Sequence, residues 1–203
     1  MLLRNNLYGP EELRHVQLLI AKEDEAAFAS LYAFFKKRLV AFSFSLVRAA
    51  EVAEEVVEDV FIKLWLRRQT LPEVENLAVY LYVSVKNASL NRLSQKARQM
   101  LTQPFDDFES DIKINSTDPY ELMVSGEMLA RMNQAIEKLP PRCKMIFKLI
   151  REDNLKYKEV AEILNISINT IDVQMAIAVK RICEALNIQK TAKSRTSIWK
   201  FKV

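Results

Sequence analysis

The sequence predicts an all-α protein built of two helical domains that are joined by an acidic linker. Apolar residues recur at three- and four-residue spacing through most of the chain, as they do on one face of a helix. Only two glycines occur among the 203 residues, so few positions suit the tight turns of β-hairpins. The periodicity stops at residues 102–119, which are acidic and rich in turn-forming residues, and then resumes.

Charge is distributed unevenly along the chain. Lys and Arg number 14 against 12 Asp and Glu in residues 1–100, 1 against 6 in residues 101–121, and 15 against 8 in residues 122–203. A basic C-terminal third suits a surface that follows DNA phosphates, although surplus lysine also serves solubility. We predict a domain of residues 1–101, a linker of residues 102–119, a domain of residues 120–187 and a basic tail of residues 188–203.

Several classes of protein are excluded by what the chain lacks. Cys143 and Cys183 stand alone, without CxxC spacing, and His15 is the only histidine. Neither a zinc site nor a disulfide framework is indicated, and we expect buried thiols and a surface histidine. No apolar run approaches the roughly 20 residues that span a bilayer, and the first residues do not resemble a signal peptide. We therefore expect a soluble cytoplasmic protein with no membrane insertion, no metal and no cofactor.

The N-terminal domain begins with two predicted helices. Residues 11–21 carry an apolar face behind Pro10, which suits the first turn of a helix. Residues 28–46 hold helical spacing over five turns, and this stripe predicts the central core helix of the domain. The stripe consists of Phe28, Leu31, Tyr32, Phe35, Leu39, Phe42 and Leu46.

The next helix is predicted to have one strongly acidic face. Residues 50–68 place an apolar stripe inward, and Glu54, Glu55, Glu58 and Asp59 stand together on the opposite side. Four carboxylates could bind a metal or perform acid–base chemistry, but no His, Cys or glycine-bent loop accompanies them. We expect a solvated or docking face, with no catalytic residue and no enzyme activity. The inward stripe consists of Val57, Val60, Phe61, Leu64 and Trp65.

A loop at residues 69–76 leads into a helix over residues 77–98. Asn76 is predicted to cap this helix, and Leu93 is among the residues predicted to face inward. Its outer face mixes amides, cations and an aromatic ring, as surfaces that bind single-stranded nucleic acid do. A plain solvated face is the alternative. The outward residues include Tyr80, Lys86, Asn87, Asn91 and Arg92.

The C-terminal domain is predicted to hold four helices that end in a helix-turn-helix at residues 155–181. Ser167 suits the N-cap of the second helix, and Ile166 and Ile171 suit a hydrophobic staple. An ordinary helical hairpin is the alternative. The two apolar stripes are Val160, Ala161 and Leu164 in the first helix and Ile171, Met175, Ala178 and Ile182 in the second.

Together these features resemble the extracytoplasmic-function (group 4) sigma factors of bacterial RNA polymerase, within the sigma-70 family. The resemblance covers residues 25 to about 187 and rests on three motifs in the family's order. Residues 53–65 (AEEVVEDVFIKLW) are similar to its second region and residues 78–87 (AVYLYVSVKN) to its promoter-melting segment. Its fourth region is similar to residues 139–143 (LPPRC), 157–161 (YKEVA) and 166–171 (ISINTI).

The resemblance implies a sigma factor that binds core RNA polymerase and directs promoter recognition, promoter melting and transcription initiation. Residues 1–101 would bind the polymerase and the −10 element of promoter DNA, and residues 120–187 the −35 element. The linker would enter the polymerase channel, an anti-sigma factor would cover the polymerase-binding faces, and the free protein would be a monomer. No chemistry would be catalysed.

The resemblance also assigns site residues. Polymerase binding falls to Glu54, Glu55, Glu58 and Asp59. The −10 element would meet the loop at residues 67–76 and Tyr80, Lys86, Asn87, Asn91 and Arg92. The −35 element would meet Lys156, Lys158, Ser167, Asn169, Thr170, Asp172, Val173, Gln174, Lys180 and Arg181.

Two departures from the family pattern affect these assignments. Asp172, Val173, Gln174 and Ile177 occupy the outer face on which many members carry cations, so an unusual promoter element is predicted. Asn91 stands where an aspartate is common.

The residues alone leave two other functional classes open. One is a stand-alone dimeric helix-turn-helix regulator, which would bind two-fold operators. The other is a helical adaptor without salt-dependent affinity for DNA, which the basic C-terminal third disfavours.

Overall fold

The computed structural model describes residues 9–102 and 126–186, with side chains described for residues 9–95 and 130–186. These ranges contain helices and no strand, so the predicted all-α class is confirmed for them. The predicted linker beyond Thr102, the predicted start of the second domain at residue 120 and the predicted tail lie outside them. The helices are α1 (Pro10–Ala21), α2 (Glu25–Val47), α3 (Ala50–Leu66), a 3-10 helix (Arg68–Glu73), α4 (Leu77–Thr102), α5 (Gly126–Glu137), α6 (Pro141–Arg151), α7 (Tyr157–Leu164) and α8 (Ile168–Ala185).

The N-terminal unit is built on the packing of α2, α3 and α4. Asp24 caps α2 by accepting a hydrogen bond from the Ala27 N–H at 2.9 Å, and Arg48 ends this helix in the left-handed conformation. The predicted apolar stripes supply most of the core. Trp65, which was predicted to face inward, is only partly buried and packs against Phe28 with 4.9 Å between ring centroids. The buried stripe residues include Leu31, Phe35, Leu39 and Phe42 of α2 and Val57, Val60, Phe61 and Leu64 of α3.

Helix α4 begins as the sequence predicts, but its inner face is shorter. The Asn76 side chain accepts a hydrogen bond from the Val79 N–H at 3.1 Å, which confirms the predicted cap. The prediction that Leu93 faces the core is wrong, since this side chain is 37% exposed. Among the described residues, the buried side chains of α4 end at Ser89, and the helix continues beyond the core.

The C-terminal unit is formed by α5 to α8. Pro141 occupies the first position of α6, and Cys143, Ile146 and Phe147 are buried. Leu149 is also buried, and Ile150 is half-buried. Both cysteines are free and buried, which confirms that prediction. Burial raises the pKa of the Cys143 thiol, so this group stays protonated.

The two units pack against each other directly. Contacts run between α4 and α7 and between α2 and α6. This packing places the start of α4 beside the first helix of the predicted helix-turn-helix. No helix in the described ranges has the length and apolarity that a membrane span requires.

Candidate nucleic-acid interface

The acidic face of α3 lies at the surface, where its carboxylates point to two sides. On one side Glu58 Oε1 lies 4.0 Å from Lys36 Nζ of α2. On the other side Arg92 of α4 lies 3.0 Å from Asp59 Oδ2 and 3.7 Å from Glu55 Oε2. Such exposed ion pairs contribute about 0–1 kcal/mol, so a partner with several cations can displace them at little cost.

The predicted outward residues of α4 form one stripe with a cation on each flank. Tyr80, Asn87 and Asn91 are exposed and recur at seven and four positions, which places them on one side of the helix. At 100° per residue, Lys86 and Arg92 lie roughly 120° to either side of this stripe. Arg92 turns toward α3, as described above. The structure therefore brings the aromatic ring and the two amides together and separates the cations.

The segment between α3 and α4, predicted to be a loop, contains the 3-10 helix. Gln17 of α1 holds it, since its Nε2 donates to the carbonyl oxygens of Leu71 and Val74, both at 2.8 Å. Arg14 also donates to the Pro72 carbonyl. The sequence reasoning missed Gln17, which is 2% exposed. The sequence did contain a signal for Gln17. It is a polar residue next to Val16 and one turn before Ile20, on the side of α1 that is buried.

The helix-turn-helix forms where it was predicted. Asn165 ends α7 in the left-handed conformation, and Ser167 caps α8 by accepting a hydrogen bond from the Thr170 N–H at 3.1 Å. The Ser167 and Thr170 hydroxyls also lie 2.8 Å apart and share a hydrogen bond. All four predicted stripe residues of α8 are buried. They are Ile171, Met175, Ala178 and Ile182.

The outward side chains at the start of α8 differ in how far they are exposed. Asn169, Asp172 and Val173 are exposed, whereas Thr170 and Gln174 are half-buried. Ser167 and Thr170 serve the turn itself. The predicted phosphate-binding cations Lys156, Lys158, Lys180 and Arg181 are exposed, and Lys180 Nζ lies 3.8 Å from Glu184 Oε1.

A polar contact joins the two units and was not predicted. The Tyr82 hydroxyl donates to Asp153 Oδ2 at 2.6 Å, and Arg38 Nε lies 3.6 Å from Asp153 Oδ1. Asn76 Nδ2 donates to Glu159 Oε1 at 2.8 Å. Burial raises the pKa of Asp153 to about 6, against the opposing effects of Tyr82 and Arg38. The signal in the sequence was the hydroxyl of Tyr82, since a buried tyrosine needs a partner.

Metal binding finds no support among the residues that the structure describes. The acids of α3 form no group of metal-ligating side chains there, nor do any other described His, Cys, Asp or Glu residues. The arrangement instead provides exposed charges, amides and an aromatic ring on helices. Such a mixture of groups suits contacts with proteins and nucleic acids.

Two family models match the two units separately. Sigma-70 region 2 matches residues 31–99, and sigma-70 region 4 matches residues 129–182. The first contains α3 and most of α4, and the second contains the helix-turn-helix. Together the two models cover more than half of the chain.

Characterised relatives and solved structures agree with these matches. The chain is 22% identical to the ECF RNA polymerase sigma factor SigW of Bacillus subtilis, over 77% of this chain and 87% of the relative. It is 27% identical to the ECF sigma factor RpoE of Cereibacter sphaeroides, over 78% and 86%. The fold is similar to that of the sigma factor RpoE of Bartonella quintana in complex with the anti-sigma factor NepR. That likeness has a TM-score of 0.57 and 22% identity, and it covers 80% of this chain and 98% of that one.

These matches repeat the order of motifs from which the sequence predicted a sigma factor. The two exposed surfaces of the N-terminal unit fall within the region 2 match, and α7 and α8 fall within the region 4 match. The chain therefore belongs to the extracytoplasmic-function group of the sigma-70 family and is an RNA polymerase sigma factor that acts in promoter recognition and transcription initiation.

Proposed function

We propose that this sigma factor binds core RNA polymerase through the acidic face of α3. The observation that carries the proposal is the exposure of Glu54, Glu55 and Glu58 on a helix within the region 2 match. Clustered carboxylates attract a basic partner surface and set its orientation. The protein would act in the cytoplasm, where the polymerase works, by binding and without catalysing a reaction.

The −10 element would bind on the stripe of α4 and on the adjacent segment at residues 67–76. Tyr80 offers a ring on which an unpaired base can stack, and Asn87 and Asn91 can hydrogen-bond to base edges. Removing a base from the duplex costs a few kcal/mol, which such stacking and hydrogen bonds offset. Lys86 and Arg92, on the two flanks, would bind the phosphates on either side. This arrangement fits promoter melting.

The −35 element would bind on the outer face of α8. Asn169 and Gln174 can pair with adenine, Asp172 can accept from a cytosine amino group, and Val173 can contact a thymine methyl group. Ser167 and Thr170 would hold the start of the helix and offer hydroxyls to the backbone. The cations Lys156, Lys158, Lys180 and Arg181 would bind phosphates and set the register.

An anti-sigma factor is the further partner that we propose. The solved relatives include a sigma factor bound to NepR and, at a TM-score of 0.50 and 17% identity, CnrH bound to the cytosolic domain of CnrY. Such a partner would cover the acidic face of α3 and keep the sigma factor from the polymerase. The free protein would be a monomer with domains at residues 1–101 and 120–187, a linker at 102–119 and a basic tail at 188–203.

Transcription in vitro on fragmented genomic DNA tests the proposed function. Core polymerase with this chain should start transcripts at a defined set of sites that core polymerase alone does not use. Asp172→Ala should change the preferred base at one position of the −35 element, at about 1–3 kcal/mol of discrimination. Lys158→Ala should weaken binding to all promoters alike and reduce the salt dependence. Absence of specific starts under all conditions would overturn the proposal.

A further inference from the structure

An open apolar groove runs between α2 and α3. Its volume is about 380 Å³, and its lining is mainly Phe28 and Tyr32 of α2 with Phe61, Ile62, Trp65 and Leu66 of α3. Ile62 is 58% exposed and Leu66 is 71% exposed. A contiguous exposed surface of large apolar side chains marks an interaction site for a protein segment, a membrane or a ligand.

Negative charge lies along one edge of this α2–α3 groove. Glu58 lines the groove, and Glu54 lies one turn earlier on α3. Lys36 and Arg68 lie over the Tyr32 and Trp65 rings of the lining, at 5.2 and 5.0 Å from the ring centroids. Each also faces a carboxylate, since Lys36 lies 4.0 Å from Glu58 and Arg68 pairs with Glu23. An occupant with apolar anchors and a positive charge would therefore complement the groove.

The segment that follows α8 has this composition. Residues 188–203 contain five basic residues and no acidic one, and residues 198–203 read IWKFKV. In an extended conformation, alternate side chains point to opposite sides, so Trp199 and Phe201 would face one way and Lys200 and Lys202 the other. Tryptophan is also one of the residue types that are enriched among interface anchors.

We propose that residues 198–203 of this chain dock in the α2–α3 groove. Trp199 and Phe201 would bind against its aromatic lining, with the lysines directed to the rim at Glu54 and Glu58. The segment therefore complements the groove in two ways. Trp199 and Phe201 match the apolar lining, and Lys200 and Lys202 match the acidic edge.

The link from α8 is long enough for this docking. An extended chain advances about 3.3–3.6 Å per residue, so the stretch from Leu186 to Trp199 reaches roughly 45 Å. A compact body of roughly 150 residues has a radius of gyration of about 15 Å. A tethered segment also has an effective concentration in the millimolar range, which favours the chain's own segment over that of a second copy.

Docking would cover carboxylates that were assigned above to polymerase binding. The segment would then compete with the polymerase for the same face, and this consequence rests on the proposed function. The docking itself is an intramolecular contact that is measured on the chain alone. Its failure is therefore distinguishable from a failure of polymerase binding.

Photocrosslinking of the full chain tests the docking. A benzophenone amino acid at position 199 should crosslink to peptides of α2 and α3, and a mixture of isotopically light and heavy chains should show that the crosslinks are within one chain. Leu66→Glu places a charge in the groove and should reduce the yield several-fold. Leu18→Glu, which changes an exposed leucine of α1 outside the groove, should leave the yield unchanged.

A second measurement avoids the unnatural residue. In Trp65→Phe, Trp199 is the only remaining tryptophan, and its emission should be blue-shifted relative to a peptide of residues 192–203. Adding Leu66→Glu should return the emission to that of the peptide. Peptide-like emission in Trp65→Phe together with no crosslinks to α2 or α3, crosslinks only between two copies, or crosslink yields that Leu66→Glu does not change would each overturn the proposal.

Discussion

Tyr82 of α4 donates a hydrogen bond of 2.6 Å to Asp153, which follows α6, and this bond joins the two helical units. Burial and the neighbouring Asp153 carboxylate raise the pKa of Tyr82, so its hydroxyl stays protonated and remains a donor. Arg38 of α2 approaches the same carboxylate. One side chain of the C-terminal unit thus binds two helices of the N-terminal unit.

Stability should depend on pH through Asp153. Because burial raises its pKa from 3.8 to about 6, the folded chain binds this proton more tightly than the unfolded chain does. The contribution to stability is full below about pH 4 and is lost as the pH rises to about 6, by at most about 3 kcal/mol. Asp153→Asn has no carboxyl group to titrate. In urea unfolding, the free energy of unfolding of the variant should therefore rise relative to that of the wild type between about pH 4 and pH 6. If the unfolding free energies of the two proteins change with pH in parallel, Asp153 is not the group responsible.

The contact between the units should have to open before initiation. The −10 and −35 elements are centred about 25 base pairs apart, which is about 85 Å along the duplex. Asn76 and Glu159 are joined by a hydrogen bond of 2.8 Å. A short bismaleimide that links Asn76→Cys to Glu159→Cys should therefore abolish specific transcription, whereas the unlinked double variant should retain part of it, reduced by the loss of the Asn76 cap on α4. Full activity of the linked protein would show that the packed arrangement can bind the promoter.

A buried pair of serines should couple α2 to α4. Ser43 Oγ and Ser89 Oγ lie 2.9 Å apart, and neither side chain is exposed. Ser89→Ala leaves the Ser43 hydroxyl without this partner and should cost about 1–3 kcal/mol of unfolding free energy. Changing both residues to alanine should cost less than the sum of the single changes. A double-mutant cycle in urea measures the coupling, and strict additivity would refute it.

Much of the fold follows from periodicity and capping. The stripes of α2, α3 and α8 and the caps at Asn76 and Ser167 depend on residues close in sequence, so they were predictable. The interface between the units and the Ser43–Ser89 pair join residues far apart in sequence, and local patterns do not contain such contacts. Leu93 was assigned wrongly because helical spacing shows where a face points and not where its packing partner ends.

The residues of the candidate site could be predicted from the sequence, but the ion pairs that they form could not. The charges and amides on α3 and α4 were identified from spacing, yet the ion pair between Arg92 and Asp59 crosses two helices. This ion pair joins Arg92, which we assign to DNA binding, to Asp59, which we assign to polymerase binding. The role of Gln17 in holding the segment before α4 was missed for the same reason, since its partners lie 54 and 57 positions away.

Gln17 should matter for both stability and promoter opening. Gln17→Met keeps the side-chain volume and removes the donor to Leu71 and Val74, which should cost about 1–3 kcal/mol. The segment that we assign to the −10 element would then be held less firmly, and the rate of promoter opening should fall more than promoter affinity does. Gln134→Met, at an exposed position of α5, should change neither. Equal effects of the two substitutions would remove Gln17 from this role.

Polymerase binding by the acidic face of α3 is tested most directly by measuring the affinity of core polymerase for a chain with Glu54→Lys and Glu58→Lys. Both carboxylates are exposed, and the substitutions leave the pair of Asp59 with Arg92 in place. Glu11→Lys with Glu162→Lys makes the same charge change at exposed positions of α1 and α7. If the acidic face of α3 binds the polymerase, the first variant should lose affinity by at least about tenfold, or about 1.4 kcal/mol, and the control should not. Equal affinities of both variants and the wild type would show that the acidic face of α3 does not bind the polymerase.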